Sequence, residues 1–185
     1  MKEKIYRLYS SGHEYKTVEY DNTPLMNCLE NNLWEPSLIE AYKFEWNRDD
    51  AEKETSDCPF LIGAIPIFKT EIISDLRNIV SLDAIKIINI NISGQKYSIL
   101  RPKNRIKGLL NIRKSNINYF SDGRIMSIDK YVFNSNKNIP LFFELEEYPL
   151  FSFVNETMAN VLVKQNVKGL LLEACEIRRR GFLFF

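Results

Sequence analysis

Apolar and polar positions alternate over EKIYRLYS, residues 3–10, with Ile5, Arg7 and Tyr9 on one side and Tyr6 and Leu8 on the other. That period of two predicts a strand. YKTVEY, residues 15–20, predicts its hairpin partner across the Ser11–Gly12 turn. SLIEAYKFEW, residues 37–46, fits a strand and a short helix equally. NRDDAEKETSDCP, residues 47–59, is polar and predicts a loop. In IPIFKTEIISDLRNI, Ile67, Phe68, Ile72, Leu76 and Ile79 share one helical face. Pro66 then falls in the first helical turn, where its missing N–H costs nothing.

The clearest hairpin follows. Ile85, Ile87, Ile88, Ile90 and Ile92 are interleaved with Lys86, Asn89 and Asn91, Gly94 marks the turn, and residues 96–101 return. Residues 115–133 predict another hairpin about Ser121-Asp122-Gly123, with Ile125, Ile128, Tyr131 and Phe133 as core candidates. LFFEL, residues 141–145, is one more strand. LFSFVNETMANVLVKQNVKGLLLE, residues 150–173, predicts strand, helix, glycine stop, strand. Asn155 is its N-cap, Val154, Met158, Val161, Leu162 and Gln165 form the helical stripe, and Gly169 supplies a left-handed turn. The pattern therefore predicts an α+β protein of mainly antiparallel sheets with a few packed amphipathic helices. The 185 residues fit one domain.

Charge changes this picture more than composition does. Net charge is only +1, yet residues 14–57 hold twelve acidic side chains against four basic ones. Residues 84–121 hold no acidic side chain, and carry Lys86, Lys96, Arg101, Lys103, Arg105, Lys107, Arg113 and Lys114. Such segregation steers charged partners. The N-terminal MKEKIYRLYSSGHEY predicts no signal peptide, and no apolar run approaches a spanning helix.

Candidate chemistry is sparse. His13 is the one histidine and lies beside a turn. Cys28, Cys58 and Cys175 are odd in number and widely spaced, which predicts free thiols in a reducing cytoplasm and no zinc site. Asp57 disfavours a thiolate at Cys58, whereas Arg178, Arg179 and Arg180 favour one at Cys175. Asp49–Asp50 and Glu146–Glu147 are neighbouring carboxylates with no cleft implied by adjacency. No phosphate-binding glycine motif is present. The basic run of residues 101–108, with Tyr97, Tyr119 and Phe120 nearby, suits nucleic-acid binding or a solvated loop. Trp34, Tyr42, Phe44 and Trp46 lie within the acidic third, and suit either a core or an interface with a basic protein.

Three blocks carry a resemblance: PFLIGAIPIFKTEIISDL, LNIRKSNINYFSDGRIMSIDKYVF and PLFFELEEYPLFSFVNETMANVLVKQNVKGLLLE. Together they resemble immunity proteins of bacterial polymorphic toxin systems, in the eleventh immunity family, formerly classed as a domain of unknown function. The likeness covers residues 58–173, about 60% of the chain, and leaves 1–57 as a more variable acidic part. The family's middle block usually has Asp-x-x-Lys-Ser; Lys114 and Ser115 match it and Asn111 stands where Asp is usual. Phe153-Val154-Asn155-Glu156 and Gly169-Leu170 match the last block, with Lys168 where Thr is common.

The resemblance implies a bacterial, cytoplasmic, non-catalytic antidote that binds and blocks a cognate toxin domain, without cofactor, metal or membrane partner. Many such toxins are basic, so Glu35, Glu45, Trp46, Asp49 and Asp50 become the expected toxin contacts. The alternative is a small nucleic-acid-binding protein using the basic segment 96–114.

Overall fold

The computed structural model describes residues 4–20, 39, 42–134 and 138–178. Strand β1 (Ile5–Ser10) lies in the middle of a five-stranded sheet ordered β10-β13-β1-β12-β11. Its partners are β10 (Val132–Asn134), β11 (Phe142–Glu144), β12 (Ser152–Asn155) and β13 (Leu170–Arg178). All contacts are antiparallel except β10 with β13. A second sheet, ordered β4-β5-β7-β6, joins β4 (Phe60–Leu61), β5 (Ile65–Lys69), β7 (Gln95–Pro102) and β6 (Ile85–Ile92). Helix α1 (Thr70–Ile79) follows β5, and helix α2 (Glu156–Lys164) follows β12. Two-stranded ribbons complete the fold: β2 (Val18–Glu19) with β3 (Glu45–Trp46), and β8 (Asn116–Tyr119) with β9 (Ile125–Lys130).

The predicted class, α+β with mainly antiparallel sheets, is the observed one. Two local expectations are corrected. Residues 15–20 do not pair with β1: β2 pairs with β3, and β1 takes β12 on one edge and β13 on the other. Ile5 and Leu8 are both fully buried although they lie on opposite faces of β1, as a central strand covered on both sides requires. One face packs into the core that holds Leu8 and the other into the core that holds Ile5, while β12 and β13 occupy the two edges and leave none for β2.

The helix expected from Pro66 begins only at Thr70. Residues 65–69 are strand instead, because their side chains feed two cores alternately: Ile65 and Ile67 pack into one, Phe68 into the other. Pro66 faces Phe60 of β4, and the register of β5 with β7 begins only at Ile67, so the missing N–H falls just outside that ladder. The helical stripe shifts accordingly. Ile73 and Leu76 are buried, while Ile79 is 58% exposed.

Elsewhere period and turn chemistry decide correctly. Ser93 (φ 47°) and Gly94 (φ 88°) form a two-residue turn with both residues left-handed, and Ile92 faces Gln95 across it. The apparent slip at Ile87–Ile88 is no bulge; Ile87 packs on one core and Ile88 in the other. Asn155 caps α2, its Oδ1 accepting the Met158 N–H at 3.1 Å. Met158, Ala159, Val161 and Leu162 are the buried stripe. One core cluster draws on both large sheets and both helices: Leu8, Phe142 and Val154 meet Phe68, Leu76, Leu100, Met158 and Leu162. No helix among the described residues is long and apolar enough to cross a membrane.

Candidate docking surface

The described parts of the acidic segment, residues 14–20 and 42–57, meet as a small lobe around the β2–β3 ribbon. Val18 faces Trp46 across it and Glu19 faces Glu45. Val18 is buried and Trp46 packs beside the same core, edge-on to Tyr97 at 5.8 Å between ring centroids. Glu19 is exposed and Glu45 half-exposed. Like charges directly opposite on paired strands destabilise a sheet. Lys43 offsets the cost locally, with its Nζ 2.6 Å from Glu45 Oε1, and holds the Glu45 carboxyl below its usual range.

The chain beyond β3 folds back on the same strand. Asn47 N–H donates to the Thr17 carbonyl at 2.9 Å, and Lys16 N–H to the Glu54 carbonyl at 2.9 Å. A 3-10 turn, Arg48–Asp50, is capped by the Asn47 side chain, which accepts the Asp49 N–H at 2.9 Å. Asp49, Glu52 and Glu54 are exposed around it. Two acidic segments distant in sequence therefore share one lobe.

Asp50 is the exception and a correction to the expected contact set. It is only 8% exposed. Its Oδ2 accepts the Thr17 N–H at 2.9 Å and the Thr17 hydroxyl, and its Oδ1 lies 2.7 Å from Lys53 Nζ. Lys53 and then Thr17 hold its carboxyl far below the usual range. It ties the lobe together internally and has no free face for a partner. Trp46 is half wall, half core. Glu45 and Asp49 remain available at the surface; Glu35 lies outside the described residues.

The basic segment does not unfold into one exposed row. Arg101 is 1% exposed and Glu144 0%, with Arg101 Nη2 2.5 Å from Glu144 Oε2. Arg105 Nε lies 3.7 Å from the same oxygen, and Lys107 pairs with Glu146 at 3.3 Å. Burial pushes the Glu144 carboxyl up, and the two guanidiniums oppose that push. Tyr97 is fully buried and its hydroxyl donates to the Ser56 carbonyl at 2.9 Å. Lys103, Arg113, Lys114, Tyr119 and Phe120 stay exposed. Sequence spacing hides the Arg101–Glu144 pair because its members are 43 positions apart.

The remaining candidates separate. His13 is exposed beside the Gly12 turn. Cys58 is buried, and burial raises its thiol well above the ordinary range. At Cys175 burial pushes the thiol up to about 12 and the Glu173 carboxylate adds to the effect, which outweighs the arginines that would favour a thiolate and leaves an inert thiol. Asn111 donates through Nδ2 to Asn134 Oδ1 at 2.9 Å, and Ser115 Oγ accepts the Val132 N–H at 3.1 Å. Both positions of the middle block thus fix a turn against β10. Among the described residues no group of three or more His, Cys, Asp or Glu side chains is placed to hold a metal ion.

No family model matches the chain, and no curated protein matches it.

Proposed function

We propose that the chain is an immunity protein, a cytoplasmic antidote that neutralises a cognate toxin domain by binding it. The reading starts from the three blocks that resemble the immunity family. One structural observation carries it further: Glu19 and Glu45 face each other across β2 and β3, with Asp49, Glu52 and Glu54 exposed on the same lobe. Opposed carboxylates raise the energy of the isolated lobe, and a cationic surface laid against them relieves that repulsion on binding. A concentration of one sign also speeds encounter with a basic partner, an effect that salt screens. Inhibition of this kind asks for shape and charge complementarity over a standard interface, with no reacting group.

The test uses the toxin domain encoded beside the gene. Glu45→Lys with Asp49→Lys is the informative pair, since Asp50 is engaged internally. Stopped-flow association should slow by about tenfold at low ionic strength and approach the wild-type rate at high salt. Cells co-expressing this variant should lose protection. An unchanged rate together with intact protection rejects the acidic surface as the docking site, and a wild-type chain that leaves the toxin unbound rejects the immunity reading.

A further inference from the structure

A cavity of about 740 Å³ opens beside the β6–β7 turn, against residues 42–45. Its volume is that of an organic-ligand site and exceeds what a bare ion fills. Asn89, Asn91 and Lys96 line it, and register puts them on one face of the sheet. Asn91 faces Lys96 across β6 and β7, and Asn89 faces Ser98 two positions along.

The two asparagines are held by their oxygens and present their nitrogens. Asn91 Oδ1 accepts the Gly94 N–H at 2.6 Å. A backbone N–H can only donate, so the oxygen must face the turn and Nδ2 must point elsewhere. Asn89 Oδ1 accepts the hydroxyl of Ser98 at 2.9 Å, and Ser98 is fully buried, so this amide has a fixed anchor too. Neither Nδ2 has a hydrogen-bond partner among the described residues. Charge on the wall points the same way. Among the described lining residues Glu45 is the one carboxylate, and Lys43 engages it at 2.6 Å. Lys96 is exposed, and no ion pair engages it among the described residues. It is the uncompensated charge of the cavity.

We infer that this cavity binds an organic oxyanion, a carboxylate or a phosphate ester, whose oxygens accept from Asn89 Nδ2, Asn91 Nδ2 and Lys96 Nζ. A ligand cation or amide N–H would meet a donor at all three points, whereas an oxyanion offers only acceptors. Hydrogen bonds to an ionised acceptor are roughly twice as strong as neutral ones. Amides already pinned by internal bonds lose little freedom on binding. The inference goes beyond the immunity reading and does not depend on it.

The full chain is titrated at low ionic strength with phenyl phosphate, benzoate, inorganic phosphate and neutral benzamide, and followed by NMR of its amides. Phenyl phosphate or benzoate should bind saturably and shift the side-chain amides of Asn89 and Asn91 and the backbone amide of Lys96. The tighter of the two identifies the headgroup. Benzamide should bind about tenfold more weakly than that anion, and inorganic phosphate should also be weaker. Asn91→Asp keeps the acceptor for the Gly94 N–H and replaces the donor with a negative charge. It should weaken binding by more than about tenfold while leaving the urea midpoint near the wild-type value. Lys96→Gln should weaken binding by about tenfold, and decides the matter should Asn91→Asp fail to fold. Failure of both aromatic anions to saturate overturns the inference. So does benzamide or inorganic phosphate binding as tightly as the better anion, or wild-type affinity in both variants. None of these outcomes bears on protection against the toxin, so the two readings fail separately.

Discussion

At the scale of single residues, the sharpest test lies at Glu144. A carboxylate wholly removed from water is tolerable only because Arg101 and Arg105 converge on it. Glu144→Ala leaves the Arg101 guanidinium buried without that partner and should cost about 3–5 kcal/mol, read as a shift of the urea midpoint. Replacing both members, Arg101→Met with Glu144→Leu, should restore much of the loss, because the pair's own net contribution is small. Asp50 gives a pH dependence of definite sign. Its folded carboxyl is held below the unfolded value by Lys53 and Thr17. Its contribution is therefore complete above the unfolded range near pH 4 and lost as acid titrates the folded group. Asp50→Asn should flatten the acid limb of stability measured by urea unfolding between pH 7 and pH 3, and lower stability at neutral pH.

At the scale of elements, legibility follows the range of the forces. Asn155 was readable because a cap acts within three residues; Asn155→Ala should cost about 1 kcal/mol in denaturant unfolding. The β6–β7 turn was readable for the same reason. Residues 65–69 were not. Ile67 and Phe68 satisfy a helical spacing and a strand alternation alike, and only the two cores on either side of β5 choose between them. The β2 pairing was hidden too, because what excludes it from β1 is the later arrival of β12 and β13. Within the candidate docking surface, the exposed carboxylates of Glu45 and Asp49 were legible from charge density. The inward turn of Asp50 and the Glu19–Glu45 opposition arise from chain reversals that no local pattern encodes.

At the scale of the molecule, charge is sorted by the fold rather than spread by it. Glu19, Glu45, Asp49, Glu52 and Glu54 gather on the β2–β3 lobe, while Arg101, Arg105 and Lys107 are drawn inward to Glu144 or paired with Glu146 and Lys103, Arg113 and Lys114 stay exposed. The near-neutral total of +1 thus conceals a polar surface pattern suited to orienting a partner. The central place of β1 has a separate bearing on biosynthesis. Ile5 is matched with Asn155 on one side and Cys175 on the other. During translation this early segment must wait, unzipped, until residues 152–178 have left the ribosome, so the large sheet closes late and slowly, through contacts of long sequence separation. A sheet built this way stays open until residues 152–178 are in place, so the rate at which that stretch is delivered sets the rate at which folded protein accumulates.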